Sequence, residues 1–167
     1  ATGRNTSVLN RLTDIGIHSL EADLTLVQSF DSLFKNMGTP DTIIHCAGVG
    51  TFSYLLDMDE RDMDKMFQVN VLAPIKLTKY FAEKMKTRGS GHIIFVASQA
   101  GKVATPKASV YAASKHAIIG FANAIRMELK GFGVEVTTIN PGPIDTPFLD
   151  LADQTGNYRS SMKKHLL

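Results

Sequence analysis

The sequence predicts an α/β fold with a parallel, doubly wound, Rossmann-like sheet. Short apolar runs at residues 41–48, 91–97 and 134–139 alternate with longer segments of helical periodicity, and such alternation builds right-handed βαβ units. The runs exit into small or polar residues, and the C-terminal edge of an open parallel sheet is where ligands bind. With 167 residues and 44% apolar content the chain can fill one core but not two comfortable ones, so residues 1–167 read as one domain.

The elements follow in order. Residue 1 is not methionine, and residues 1–5 (ATGRN) read as the tail of a segment already under way. After Arg4 comes a polar segment, then a short strand at 18–24 ending near Asp23. Residues 25–37 place Val27, Phe30, Leu33, Phe34 and Met37 at helical spacing, closed by Gly38 and Pro40. The strand at 41–48 (DTIIHCAG) is followed by a long helix from an Asp59 N-cap to about Lys86. Pro74 lies inside it and cannot donate to the carbonyl of Asn70, so a kink is expected there. The strand at 91–97 ends at Ser98, and a loop with Gly101 and Pro106 leads to a helix over 111–130, stopped by Gly131 and Gly133. The last strand, 134–139 (VEVTTI), runs into Asn140-Pro141-Gly142-Pro143. Beyond Thr146 the pattern weakens to a short helix at 148–152 and a polar stretch, read as a mobile loop or lid.

Composition narrows the class. The net charge of +2 arises from interspersed charges of both signs, which argues against nucleic acid as a partner. Cys46 is the one cysteine, so no internal disulfide forms and a reducing compartment is favoured. No signal peptide is visible and the apolar runs are far below membrane-spanning length. A cytoplasmic globular protein is the expectation. No metal site is expected either: His45 has no second ligand at metal spacing.

Chemistry concentrates between Ser98 and Lys115. Tyr111 and Lys115 are four residues apart on one helix face. A neighbouring ammonium favours the phenolate and lowers a tyrosine pKa that is ordinarily near 10. Ser98, at the carboxyl end of its strand, can hold a carbonyl oxygen.

A strand ending in Ser98, a loop, and a helix carrying Tyr-Ala-Ala-Ser-Lys resemble the short-chain dehydrogenase/reductase family, whose motifs occur here in the family's order over nearly the whole chain. The resemblance implies that Ser98, Tyr111 and Lys115 are the catalytic serine, tyrosine and lysine, and that Asn70 is the fourth member, its main-chain carbonyl holding a relay water. It implies further that Asp23 lies beside the adenine ring, an N-cap being the competing role. Ala47 and Gly48 would let the cofactor pass close to backbone, and Pro141, Gly142 and Thr146 would lie near the nicotinamide. His45-Cys46 stands where the family usually has two asparagines. Cys46 reads as a small buried hydrophobe and His45 as a satisfied half-buried histidine.

The family's glycine-rich loop and the strand before it have no counterpart. Gly48-Val-Gly50 does not serve, because no third glycine opens a helix after it. About thirty residues of a βαβ unit are therefore expected before Ala1, and further elements after Leu167. Gly3 would then end the second family strand, with no acid there to repel a 2′-phosphate. Arg4 follows and can pair with that phosphate, so NADP(H) is expected over NAD(H).

The function expected is hydride transfer between a nicotinamide and a small-molecule carbonyl or alcohol. An epimerase or dehydratase using the same Tyr and Lys, and a non-catalytic nucleotide-binding regulator, are the alternatives. A homodimer or homotetramer is also expected, built on the helices at 59–86 and 111–130. Ala113, Ala117, Gly120 and Ala124 form a small-residue strip that would face either a second copy or the protein's own sheet.

Overall fold

The computed structural model describes residues 1–153, 156 and 158. It contains two parallel ladders. One pairs β1 (Thr2–Gly3) with β2 (Leu20–Glu21). The other places β4 (Gly91–Val96) between β3 (Thr42–His45) and β5 (Val134–Ile139). Among the described residues no strand pairs across the two ladders. The strand expected over 18–24 is thus a two-residue pairing.

The register of the larger ladder decides which face becomes core. Ile43, Ile93 and Val136 stand side by side, as do His45, Phe95 and Thr138. These rows share one face of the pleat, and Ile43, Ile93, Phe95 and Val136 are buried on it. Ile44 and Ile139, of opposite parity, remain exposed.

Two helices cover the buried face. In α4 (Ala73–Arg88), Ala73, Leu77, Phe81 and Met85 recur every fourth residue and are buried. In α5 (Ser109–Leu129), Ala112, Ile118, Ala122 and Ile125 are buried, and Phe121 meets Phe95 edge to face at 5.9 Å. The strip of Ala113, Ala117, Gly120 and Ala124 points away, exposed, which removes the option that it packs on the protein's own sheet.

The kink at Pro74 takes a specific form. After α3 (Glu60–Phe67), N-capped by Asp59 as expected, comes a π-helical turn, Gln68–Leu72, in which the Ala73 N–H donates to the carbonyl of Gln68, five residues back. Pro74 then sits in the first turn of α4, directly after the π turn, and having no N–H it gives the Asn70 carbonyl no donor.

Two elements differ from the sequence reading. A helix, α1 (Thr6–Asp14), occupies what reads as a polar segment: the Asn5 side chain accepts from the Val8 N–H, and Leu9 is its one buried residue. Before α2 (Val27–Asn36), Asp23 is not the N-cap. Leu26 holds that position without a side-chain bond, while Asp23 accepts from both the N–H and the hydroxyl of Thr25. After β5 the chain forms α6 (Pro147–Ala152), which buries Leu149 and Ala152. Among the described residues no helix is long and apolar enough to cross a membrane, and no cluster of His, Cys, Asp and Glu could hold a metal. The polar stretch expected after α6 lies largely outside the described residues.

Candidate active site

At the carboxyl end of β4 the chain turns out of the sheet at Ser98, whose hydroxyl accepts the Ala100 N–H at 3.1 Å and caps a 3₁₀ turn, Gln99–Gly101. The first turns of α5 lie against it. Tyr111 is buried there, and a hydrogen bond with Ser98 pulls its pKa down while burial, the larger effect, raises it above its ordinary value. A buried phenol away from a counter-charge keeps its proton. This departs from the sequence expectation that Lys115 lowers the phenol's pKa. The Lys115 ammonium donates to the Val96 carbonyl at 3.2 Å and stands 5.7 Å from the centre of the Tyr111 ring. Burial lowers the lysine's own pKa to about 8.

The π turn delivers Asn70 to the same place. Its side chain is buried and clamps the strand exit: Nδ2 donates to the Val49 carbonyl at 2.8 Å, and Oδ1 accepts the Val49 N–H at 2.9 Å. Nδ2 also donates to Ser114 Oγ at 3.0 Å, which in turn donates to the Tyr111 carbonyl at 2.7 Å. Ser114 has no counterpart in the sequence reading, although it is the serine of the Tyr-Ala-Ala-Ser-Lys stretch; it ties the π turn to the helix that carries Tyr111. Asn70 thus works here through its side chain, whereas the sequence reading concerns its carbonyl.

Gly48 sits against this cluster. A methyl group placed on it would lie 3.5 Å from Asn70 Oδ1 and 3.6 Å from Lys115 Nζ. From Gly48 a cavity of about 170 Å³ runs outward, lined by Ala47, Val49, Val69, Asp23 and Arg4 among others. At its outer end Arg4 and Asp23 approach to 3.9 Å. The Thr25 N–H and hydroxyl hold the Asp23 carboxyl below its usual range, with Arg4 adding to the effect. On the other flank the Gln99 N–H donates to the Pro141 carbonyl at 2.9 Å, and the Gln99 side-chain amide lies 3.4 Å from where a side chain on Gly142 would begin. Asn140 Oδ1, beside this turn, is buried without a partner among the described residues. Thr146 is exposed at the start of α6, its hydroxyl 3.5 Å from the Ile144 carbonyl.

Ser98, Tyr111, Lys115, Asn70 and Gly48 therefore converge, with Ala47, Asp23 and Arg4 in line on one side and Pro141 and Gly142 on the other. Thr146 stands at the rim. His45 lies beneath: Nε2 is 2.9 Å from Thr78 Oγ1, the ring stacks on Phe95 at 4.8 Å, and burial lowers its pKa to about 4. It is buried rather than half-buried, and Cys46 next to it is exposed rather than buried.

Comparisons with known proteins point to one family. A family model described as short chain dehydrogenase matches residues 4–156. The dehydrogenase/reductase SDR family member 7B of Danio rerio is 34% identical over 114 residues, covering 68% of this chain and 37% of that protein. The uncharacterized oxidoreductase YbbO of Escherichia coli K12 is 36% identical over 113 residues, covering 68% of this chain and 42% of its own. Among solved structures, the closed form of a serine dehydrogenase complexed with NADP+ superposes with a TM-score of 0.89 at 25% identity, covering 99% of this chain and 70% of that one. The chain thus spans about two fifths of the length of these curated relatives.

Proposed function

The chain belongs to the short-chain dehydrogenase family, and from that premise we propose that it forms the catalytic part of an NADP(H)-dependent oxidoreductase that interconverts a carbonyl compound and its alcohol. The observation that carries the reading is the convergence of Ser98, Tyr111 and Lys115 beside Gly48 and Asn70.

The residues present fit part of a dinucleotide. The cavity from Arg4 reaches Gly48, where a methyl group would lie 3.6 Å from the Lys115 ammonium, its floor is the small Ala47-Gly48 pair, and Asn140 at the far flank has a buried acceptor to offer. When bound, the reduced nicotinamide supplies a hydride to the carbonyl carbon and is left oxidised. Ser98 holds the substrate oxygen, and Tyr111 gives its phenolic proton to that oxygen as the C–O bond becomes an alcohol. Burial keeps the Tyr111 phenol protonated before the substrate arrives. Lys115 places a positive charge next to the phenolate so formed, and the Asn70 carbonyl supports the water that returns the proton. In the oxidative direction each transfer reverses.

Arg4 at the outer end of the cavity favours the 2′-phosphate of NADP(H), and the bound NADP+ of the serine dehydrogenase similar in structure supports this choice; NAD(H) is the second option. Asp23, Pro141, Gly142 and Thr146 complete the dinucleotide's surroundings. Residues 1–167 act as one domain in this reading, and the exposed thiol of Cys46 suits a reducing cytoplasm. The exposed strip on α5 is the surface on which two copies pair, and light scattering on the intact protein should give at least a dimer, a monomer at tens of micromolar refuting the pairing.

Tyr111→Phe in the intact protein should lower turnover by about 10² to 10⁴ while NADPH affinity stays unchanged. Near-normal turnover in a steady-state assay overturns the assignment.

A further inference from the structure

Ser114 is fully buried in the interior of α5, with alanines nearby at 112, 113 and 117. For the helix alone an alanine would serve better there, since serine has the lower helix propensity and a hydroxyl that must be stripped of water. The hydroxyl forms a bridge instead. It donates to the Tyr111 carbonyl, one turn back, at 2.7 Å and accepts from Asn70 Nδ2 at 3.0 Å.

The bridge completes the bonding of the Asn70 amide. One Nδ2 hydrogen goes to the Val49 carbonyl at 2.8 Å and the other to Ser114, while Oδ1 takes the Val49 N–H at 2.9 Å. With its own proton committed to Tyr111, Ser114 Oγ can only accept from Asn70, so the amide is held with its nitrogen toward α5. This anchors the residue whose main-chain carbonyl receives no donor from Pro74.

Lys115, the next residue, lies about 100° further round the helix and donates to the Val96 carbonyl at 3.2 Å. The helix is thus tied at Ser114 to the segment leaving β3, through Asn70 and Val49, and at Lys115 to the end of β4. Gly48 sits between the two ties: a methyl group on it would lie 3.5 Å from Asn70 Oδ1 and 3.6 Å from Lys115 Nζ. Ser114 is not among the residues lining the cavity from Gly48 to Arg4, so any effect it has on the reaction passes through Asn70 and the helix.

Resting on the oxidoreductase reading, we infer that Ser114 is a positioning residue for the proton relay: its hydroxyl fixes Asn70 against the helix of Tyr111 and Lys115, and removing it slows proton transfer while NADPH binding stays intact.

The test compares the intact protein with Ser114→Ala, with Ser114→Thr, which keeps the hydroxyl, and with Ile118→Val, which trims a core side chain one turn further along α5 and removes no bond of the bridge. NADPH oxidation is followed with 2,3-butanedione, cyclohexanone and benzaldehyde as carbonyl probes, and the Asn70 side-chain amide is followed by 15N NMR independently of turnover. Ser114→Ala should lower kcat about tenfold, as a small misplacement of reacting groups does, with KM for NADPH within about twofold of the unmodified value. Its Asn70 amide signals should shift or broaden. Ser114→Thr should recover kcat relative to Ser114→Ala, and Ile118→Val should leave both kcat and the Asn70 signals near those of the unmodified protein. Unchanged Asn70 signals in Ser114→Ala overturn the inference, and so does a kcat no lower than that of Ile118→Val. A rise in KM for NADPH at constant kcat also overturns it, because it would place Ser114 in cofactor binding. Absence of turnover by the unmodified protein with all three probes, together with shifted Asn70 signals in Ser114→Ala, upholds the bridge but overturns the catalytic role along with the oxidoreductase reading.

Discussion

The two ladders hold their parts of the proposed site by different means. Around β3, β4 and β5, the groups proposed for chemistry are fixed from beneath. Lys115 is 6% exposed, Asn70 3% and Ser114 fully buried, and each is tied by hydrogen bonds to another element. Around β1 and β2 the ladder is two residues long, and Arg4, its side chain 56% exposed, meets Asp23 only at 3.9 Å. Proton transfer needs atoms held to within a fraction of an ångström, whereas attraction of a phosphate needs a charge in the right neighbourhood. Substitutions in the first region should therefore disturb stability and geometry together, and those in the second should disturb recognition alone.

The sharpest break of that contrast is a methyl group. On Gly101, under the Ser98 turn, it would come within 2.5 Å of the Ile119 side chain and 2.7 Å of the Lys115 carbonyl. Gly101→Ala should cost about 3 kcal/mol, the upper end for overpacking against backbone. At Gly3 the same methyl meets nothing within 4 Å, and Gly3→Ala should stay within about 0.5 kcal/mol. Urea midpoints of the two variants give the comparison; equal losses would erase the difference between the regions.

A second, smaller effect comes from pH. The folded pKa of His45 is about 4 against an ordinary 6.5, because the ring is buried. Between those values the unfolded chain takes up a proton that the folded chain refuses. Stability is thus fully present above about 6.5 and is lost as pH falls toward 4. Between pH 7 and pH 5 this amounts to about 2 kcal/mol. His45→Asn should flatten that dependence in denaturation at the two pH values. An unchanged slope would assign the acid sensitivity to other groups.

The smallest effect belongs to the outer ladder. Arg4→Ala should raise KM for NADPH about tenfold, the worth of one charge-assisted contact, with little change for NADH. The exposed pair with Asp23 contributes at most about 1 kcal/mol to folding, so the melting temperature should barely move. Equal effects on both cofactors would remove Arg4 from phosphate recognition.

Legibility in the sequence divides along the same line. The strand before Ser98 and the helix of Tyr111 are legible because each carries a sustained apolar period and ends at a glycine or serine. Pro74 announces an interruption through its missing N–H, though whether the chain kinks or widens into a π turn depends on the sheet to which α4 must return. α1 escapes notice because it buries one side chain, leaving no stripe to read. The electrostatics of Tyr111 also escape, since four-residue spacing places Lys115 nearby without fixing where its ammonium points. Phe52 and Phe148 are 96 residues apart in sequence and touch in the fold, a proximity that no local pattern encodes.

The π turn at Gln68–Leu72 makes the length of that segment part of its meaning. Removing one residue there would allow an unbroken α-helix whose later turns keep their phase, because the π turn fits five residues where an α turn fits about four. The stripe of Leu77, Phe81 and Met85 would stay on the sheet, while the bulge that delivers Asn70 to Val49 and Ser114 would be lost. Substitutions within the turn can be judged one side chain at a time, whereas a single-residue deletion spares the core and falls on the Asn70 clamp alone.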